Sequence, residues 1–137
     1  MALPQVGGGR QVTDGNLNEI TLGVMAAPQT ATSTATLTAA QVTGGMLVGS
    51  PGTSAATYTT PTAAAIDAVL VNAKVGSTFD LTIVNLGTSS GVITLAGGTG
   101  VTLVGTATVA VTASAGSSGI WRFRKTGDAA YTAYRVA

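Results

Sequence analysis

The chain has no cysteine and no histidine, and charged residues make up only 8% of its 137 positions. Without cysteine there is no disulfide framework and no thiolate metal site, and without histidine the commonest transition-metal ligand and neutral-pH proton carrier is gone. Hard-cation sites would have to be assembled from five scattered acids, so no cofactor or metal is expected. Aromatics are scarce at 4%. Two long tracts, 20–66 and 81–121, carry no charge at all and are rich in Thr, Ala, Gly and Val. Such a chain lacks the groups that general acid–base or nucleophilic catalysis uses, and it is read as a non-enzyme. Its net charge of +1 gives little repulsion between copies, so it reads as a protein built to pack against neighbours.

Long hydrophobic runs are missing too. The mean hydropathy is positive, +0.45, yet Thr, Gly, Ser or Asn interrupts every apolar stretch well short of the roughly 20 residues a spanning helix needs. No membrane association is expected. The first ten residues have neither the basic start nor the apolar core of a secretory signal, which points to synthesis and residence in a cytoplasm. The length suits one domain. Residues 1–33 are weakly patterned, with a Gly7-Gly8-Gly9 joint and Pro4 and Pro28, and read as an extended N-terminal arm. Within it, 17–24 alternates as one strand would. Ile20, Leu22, Val24 and Met25 are too apolar for a solvated tail, and suit docking on a partner or on the body.

From residue 34 the chain becomes a series of short β-rich segments separated by Gly, Ser, Asn or Pro, the pattern of an all-β body, a β-sandwich or jelly-roll-like fold over 34–137. Strands are expected at 34–37, 46–49, 56–59, 78–85, 92–95, 101–104, 107–112, 120–125 and 131–136. In 78–85, Phe79, Leu81 and Ile83 alternate with Asp80, Thr82 and Val84 and should face the core. One helix is expected, with Thr60 as cap, Pro61 in the first turn, and an apolar face of Ile66, Val69 and Leu70 closing before Gly76. The alternative for that segment is an extended crossover. The similar segments 92–97 and 100–105 are expected to pair as consecutive meander strands joined through Gly97, Gly98 and Gly100.

Three groupings invite a chemical reading. Gly97-Gly98-Thr99-Gly100 looks like a phosphate cradle, but no helix or lysine follows, and a β-turn is the better fit. A Ser–Lys nucleophile would have to use Lys74 or Lys125 with a serine such as Ser77 or Ser118, and nothing in the pattern activates either pair. The strongest grouping is Trp121, Arg122, Phe123, Arg124, Lys125, Tyr131, Tyr134 and Arg135, which holds four of the six basic residues. Of these, Trp121, Arg122, Arg124, Tyr131, Tyr134 and Arg135 form a candidate ligand or interface patch. Aromatics among arginines suit single-stranded nucleic acid or a sugar ring. Strand parity opposes that, because Trp121 and Phe123 share one face and Arg122 and Arg124 the other. With a charge balance of only +1, nucleic acid is the less favoured partner. The plainer reading puts Trp121 and Phe123 in the core and the arginines at a subunit interface or in solvent.

The segments Leu37-Thr38-Ala39-Ala40-Gln41, Tyr58-Thr59-Thr60-Pro61-Thr62-Ala63-Ala64, Val75-Gly76-Ser77-Thr78-Phe79-Asp80-Leu81-Thr82-Ile83-Val84-Asn85, Gly100-Val101-Thr102-Leu103-Val104-Gly105, and Trp121-Arg122-Phe123-Arg124 through Ala133-Tyr134-Arg135-Val136 carry a resemblance. In order and flavour they resemble small structural virion proteins of tailed bacteriophages, the head decoration or cement proteins and the head-fibre proteins. The likeness covers 34–137 and leaves the arm outside. It implies a homotrimer bound to the major capsid protein on an icosahedral shell, made in the host bacterial cytoplasm, with Leu17, Ile20, Leu22 and Val24 as capsid-contact arm. The alternative it leaves is a head-fibre or fibre-tip domain that binds host-surface glycan.

Overall fold

A computed structural model describes residues 23–111 and 116–137, and near the start the two short strands β1 (Gln5–Val6) and β2 (Gly9–Arg10), which pair antiparallel. Strand β3 (Gln29–Ala31) opens a series continued by β4 (Ala35–Thr36), helix α1 (Ala39–Thr43), β5 (Met46–Gly49), β6 (Ala56–Thr59) and helix α2 (Ala63–Val69). There follow β7 (Thr78–Asn85), β8 (Ile93–Ala96), β9 (Val101–Val104), β10 (Thr108–Val109), β11 (Ser117–Gly127) and β12 (Ala130–Arg135).

Two sheets hold the strands: a six-stranded sheet ordered β3-β5-β7-β11-β12-β9 and a four-stranded sheet ordered β10-β8-β6-β4. From β3 to β11 the chain changes sheet at every step. Each return therefore comes after a crossover through the other sheet, which is long enough for parallel pairing. Accordingly β3, β5 and β7 run parallel, as do β4, β6 and β8. Antiparallel pairing appears where β11 lies beside β7, where the β11–β12 hairpin turns back, and where β10 joins β8. The expectation of a β-rich chain holds, and the sheets are mixed, whereas a jelly roll pairs its neighbours antiparallel.

Both sheets turn one face to a shared core. Leu47, Leu81, Ile83, Trp121, Phe123, Tyr131 and Ala133 enter it from the larger sheet, Tyr58, Ile93, Leu95 and Val109 from the smaller, and Val42 and Ile66 from the helices. The period-2 alternation of β7 and β11 decides this: Leu81 and Ile83 are buried, and so is every second residue from Gly119 to Lys125. Phe79 is half-buried at the margin, stacked on Phe123 with centroids 4.9 Å apart. Of the six aromatic side chains only Tyr134 is exposed. At about 1.5–3 kcal/mol for each large apolar side chain fully buried, the aromatics are a main source of cohesion.

Several expectations are corrected. The helix starts later than Thr60: Thr62 caps α2 by accepting from the Ala65 N–H, while the buried Thr60 hydroxyl accepts from the Gly98 N–H at 2.8 Å. Thr60 thus serves the 97–100 turn rather than the helix. That turn is the expected β-turn, closed by the Val101 N–H to the Gly98 carbonyl, with Gly100 at φ 82° where a side chain would be strained. It does not join meander strands, however. A Cβ on Gly98 would collide with the Thr60 and Pro61 carbonyls, and this close approach sends β9 to the far edge of the six-stranded sheet beside β12 while β8 stays in the other. Helix α1 went unexpected, although Thr38 and Gln41 form a reciprocal capping box. Strand β3 lies inside the segment read as arm, pairing Gln29–Ala31 with Leu47–Gly49 in parallel.

Candidate interaction surface

The β11–β12 hairpin carries the six residues singled out as a ligand or interface patch, and its register splits them between two faces. Trp121 lies opposite Arg135, Phe123 opposite Ala133, and Lys125 opposite Tyr131, all on the inner face. Arg122 lies opposite Tyr134 and Arg124 opposite Thr132 on the outer face. Trp121 and Tyr131 are therefore buried and cannot stack on a sugar or a base.

Arg135 corrects the expectation that the arginines turn to solvent or an interface. Its guanidinium carbon sits 4.4 Å from the Trp121 ring centroid, and Nη1 donates to the Thr108 carbonyl at 2.9 Å. Nε donates to the Ala137 carbonyl. Gly119 makes room for the group, since a Cβ there would meet the guanidinium. Burial pushes the Arg135 pKa down.

Lys125 is buried and works as a cross-tie. Its Nζ lies 2.6 Å from Asp67 Oδ1 on α2, the same oxygen that accepts from the Tyr131 hydroxyl at 2.6 Å. Asp67 Oδ2 accepts from the Ala129 N–H at 2.9 Å, at the hairpin tip where Ala129 holds a left-handed φ of 44°. One carboxylate thus fixes α2, both hairpin strands and the turn between them. The bond from Lys125, then those from Tyr131 and Ala129, hold the Asp67 carboxyl down to about 2. Burial, then the Asp67 bond, pushes the Tyr131 phenol up. The Ser–Lys pairs do not form: Ser118 and Lys125 lie on opposite faces of β11, and Ser77 Oγ accepts instead from the Lys74 backbone N–H.

The outer face of the six-stranded sheet presents its residues in rows across the strands. Thr30, Val48, Val84 and Ser118 form one row and Met46, Thr82 and Ile120 the next. Asp80, Arg122, Tyr134 and Val104 form a third, and Thr78, Arg124, Thr132 and Thr102 a fourth. All are exposed or half-exposed. Asp80 and Arg122 make a two-pronged ion pair, Nε to Oδ1 at 2.8 Å and Nη2 to Oδ2 at 2.9 Å. It holds the Asp80 carboxyl below its ordinary range and raises Arg122. Apart from Arg124 and the Tyr134 ring, the rest of the face is hydroxyl and aliphatic, so it offers contact area with little charge.

A buried asparagine escaped notice in the sequence. Asn85, at the end of β7, donates through Nδ2 to the Gly91 carbonyl at 2.9 Å and the Val109 carbonyl at 3.0 Å, and its Oδ1 accepts from the Gly87 N–H at 2.7 Å. It ties the six-stranded sheet to β10 and to the 86–92 loop.

Of the arm residues, Leu17, Ile20 and Leu22 lie outside the described residues. Val24 is fully exposed in the irregular stretch 23–28, which departs from the expected strand 17–24. Among the described residues no three potential metal ligands gather and no helix is long and apolar enough to cross a membrane. Comparison with protein-family models, curated proteins and solved structures gives no match.

Proposed function

We propose that this chain is a structural virion protein, a capsid cement or decoration subunit that stabilises an icosahedral phage head by bridging capsid subunits. In this reading the two sheets form a β-sandwich, the subunit is a non-enzymatic homotrimer on the capsid surface, and its other partner is the major capsid protein. The observation that carries the reading is the outer face of the six-stranded sheet, a broad surface mostly of Thr, Val, Ile and Met side chains, with the Asp80–Arg122 ion pair, Arg124 and Tyr134 as its charged and aromatic members. Such a surface adheres through area and hydroxyl contacts, and linked copies raise the effective concentration of each weak contact. The arm, with Leu17, Ile20, Leu22 and Val24, supplies an additional strap to the shell. The glycan-binding alternative retains one exposed aromatic, Tyr134, because Trp121 and Tyr131 are in the core. Nucleic-acid binding is weaker still, since Arg122 and Lys125 are paired with carboxylates and Arg135 is stacked on Trp121, which leaves Arg124 of that patch.

Quantitative mass spectrometry of purified virions tests this. The expected result is a copy number comparable to that of the major shell protein. Absence from purified particles, or a few copies per particle, would sink the cement reading.

A further inference from the structure

The two sheets of the body end in four edge strands, β3 and β9 on the larger and β4 and β10 on the smaller. An edge strand carries outward N–H and C=O groups that can template a strand of another chain, and charged side chains, lysine above all, are the usual defence. None of these four strands carries a charged residue. With a net charge of +1, general repulsion between copies is slight as well. The edges have to be closed by other means.

On β10, Thr108 turns its backbone away from β8, and its carbonyl accepts from Arg135 Nη1 at 2.9 Å. On β9, Val101 turns its backbone away from β12. Its N–H is bonded to the Gly98 carbonyl, and its own carbonyl lies so close to Gly97 that a Cβ there would collide with it. On β3, the bond from the Ser50 N–H to the Ala31 carbonyl fixes the ladder, so that Gln29 and Ala31 face β5 and Thr30 faces outward. Pro28, of the same parity as Thr30, has no N–H to offer. The outward Thr30 carbonyl accepts from Gln41 Nε2 at 2.8 Å. The same carboxamide reaches the other sheet. The Leu37 N–H is bonded to the Thr59 carbonyl, so Leu37 faces β6 and Thr38, one residue on, faces away from it. Gln41 Oε1 accepts from that Thr38 N–H at 2.8 Å. One side-chain amide thus presents a donor to the β3 edge and an acceptor to the end of β4, as the peptide group of a further strand would. The capping box of α1 needs only the second of these bonds, and the first reaches back eleven residues to Thr30.

We infer that Gln41 closes this end of the body to strand addition by a second copy of this chain. Its Nε2 occupies the place on the Thr30 carbonyl that the N–H of an incoming strand would take. The inference goes beyond the proposed function, because it names an edge through which copies do not join, whatever surface they do join through. A chain that meets its own copies at high local concentration needs such a block, since strand addition at an edge does not close on itself and leads to fibres rather than to a discrete oligomer.

Full-length variants purified without shells and compared by sedimentation velocity over a range of concentrations test this. Gln41→Met fills similar space outside the buried core and removes both carboxamide bonds. Thr38→Ala removes the hydroxyl that accepts from the Gln41 N–H, so it weakens the α1 cap while leaving the carboxamide on Thr30 and on the Thr38 backbone. Gln41→Met should place at least about tenfold more protein than wild type in concentration-dependent species larger than the wild-type oligomer, and Thr38→Ala no more than wild type. The double variant Q41M/T30P, which removes the outward N–H of β3 without costing a ladder bond, should return to the wild-type distribution. Association caused by a loosened fold would be unchanged or worsened by that proline. The inference is overturned if Gln41→Met sediments as wild type does, if Thr38→Ala associates as much, or if the proline fails to reverse the association. Shell attachment plays no part in these measurements, so they leave the cement reading to its own test.

Discussion

Arg135 and Trp121 are cross-strand partners on the inner face of the β11–β12 hairpin, with the guanidinium carbon 4.4 Å from the indole centroid. Two residues that look like an outward ligand patch in the sequence thus complete each other. The cation is also held by the Thr108 carbonyl, so it links the large sheet to the edge of the small one. Replacing Arg135 by Lys, which lacks the planar fork, should destabilise the protein by about 1–2 kcal/mol. Gly119→Ala, whose Cβ would meet the guanidinium, should act in the same direction. Urea unfolding midpoints measure both, and an unchanged midpoint for Arg135→Lys would show that the stack contributes nothing.

Asp67 sets an acid limb. Its carboxyl titrates at about 2 in the folded protein against an ordinary value of 3.8. A carboxylate with a depressed folded pKa contributes stability that is present above the unfolded value and lost as pH falls through the folded one. Stability should therefore decline between about pH 4 and pH 2. Asp67→Asn should be less stable at pH 7, because Lys125 loses its counter-charge inside the protein, and should lack most of that decline. Unfolding midpoints across a pH series check this, and parallel profiles for the two proteins would refute the assignment.

What was legible in the sequence was local. Strands 46–49, 56–59, 78–85 and 101–104 have the expected bounds, because alternation and flanking turn residues act within a few positions. Helix α2 was legible, but its cap moved from Thr60 to Thr62 because Gly98, 38 positions away, claims the Thr60 hydroxyl. Helix α1 is five residues long, too short for an apolar period, and its Thr38–Gln41 capping box was the one available signal. The facing of Arg135 was out of reach for another reason. Parity within β11 places Arg122 and Arg124 outside, but parity between β11 and β12 depends on the register, which shifts between Lys125 and Gly127. The separation of β8 from β9 likewise depends on packing of Gly98 against a distant backbone.

Asn85 should respond in the opposite pH direction when made acidic. Asn85→Ala leaves the carbonyls of Gly91 and Val109 and the N–H of Gly87 without its amide, a loss of about 3 kcal/mol. Asn85→Asp would set a carboxylate against those carbonyl oxygens, raising its folded pKa. The stability of that variant should be highest in acid and fall as pH rises through the raised value. A flat pH profile with near wild-type stability would show that the amide donors are dispensable.

Tyr134 and Val104 are neighbours on the outer face, and both are exposed. Tyr134→Asp and Val104→Asp should leave folding stability within about 0.5 kcal/mol, as surface changes usually do. If the outer face is the adhesive one, both variants should be under-represented in virions relative to wild type when the two compete in one infection. Equal incorporation of stable variants would move the contact surface elsewhere on the subunit.

The division between arm and body decides how a truncation behaves. Removing residues 1–33 deletes β3, exposes the edge of β5 and takes away the Ala31 carbonyl, which accepts from the Tyr58 hydroxyl at 3.0 Å and from the Ser50 N–H at 2.9 Å. Tyr58 is fully buried, so its hydroxyl would be left unpaired in the core. Removing residues 1–22 touches none of these contacts. The shorter truncation should therefore unfold at the wild-type midpoint and fail to attach to shells, whereas the longer one should be less stable by several kcal/mol. The single change Tyr58→Phe isolates the hydroxyl at about 1 kcal/mol, because the Ala31 carbonyl keeps its bond from Ser50. Shell attachment by the 1–22 deletion at wild-type occupancy would show that the strap is not needed, and a longer truncation as stable as wild type would remove β3 from the folded body.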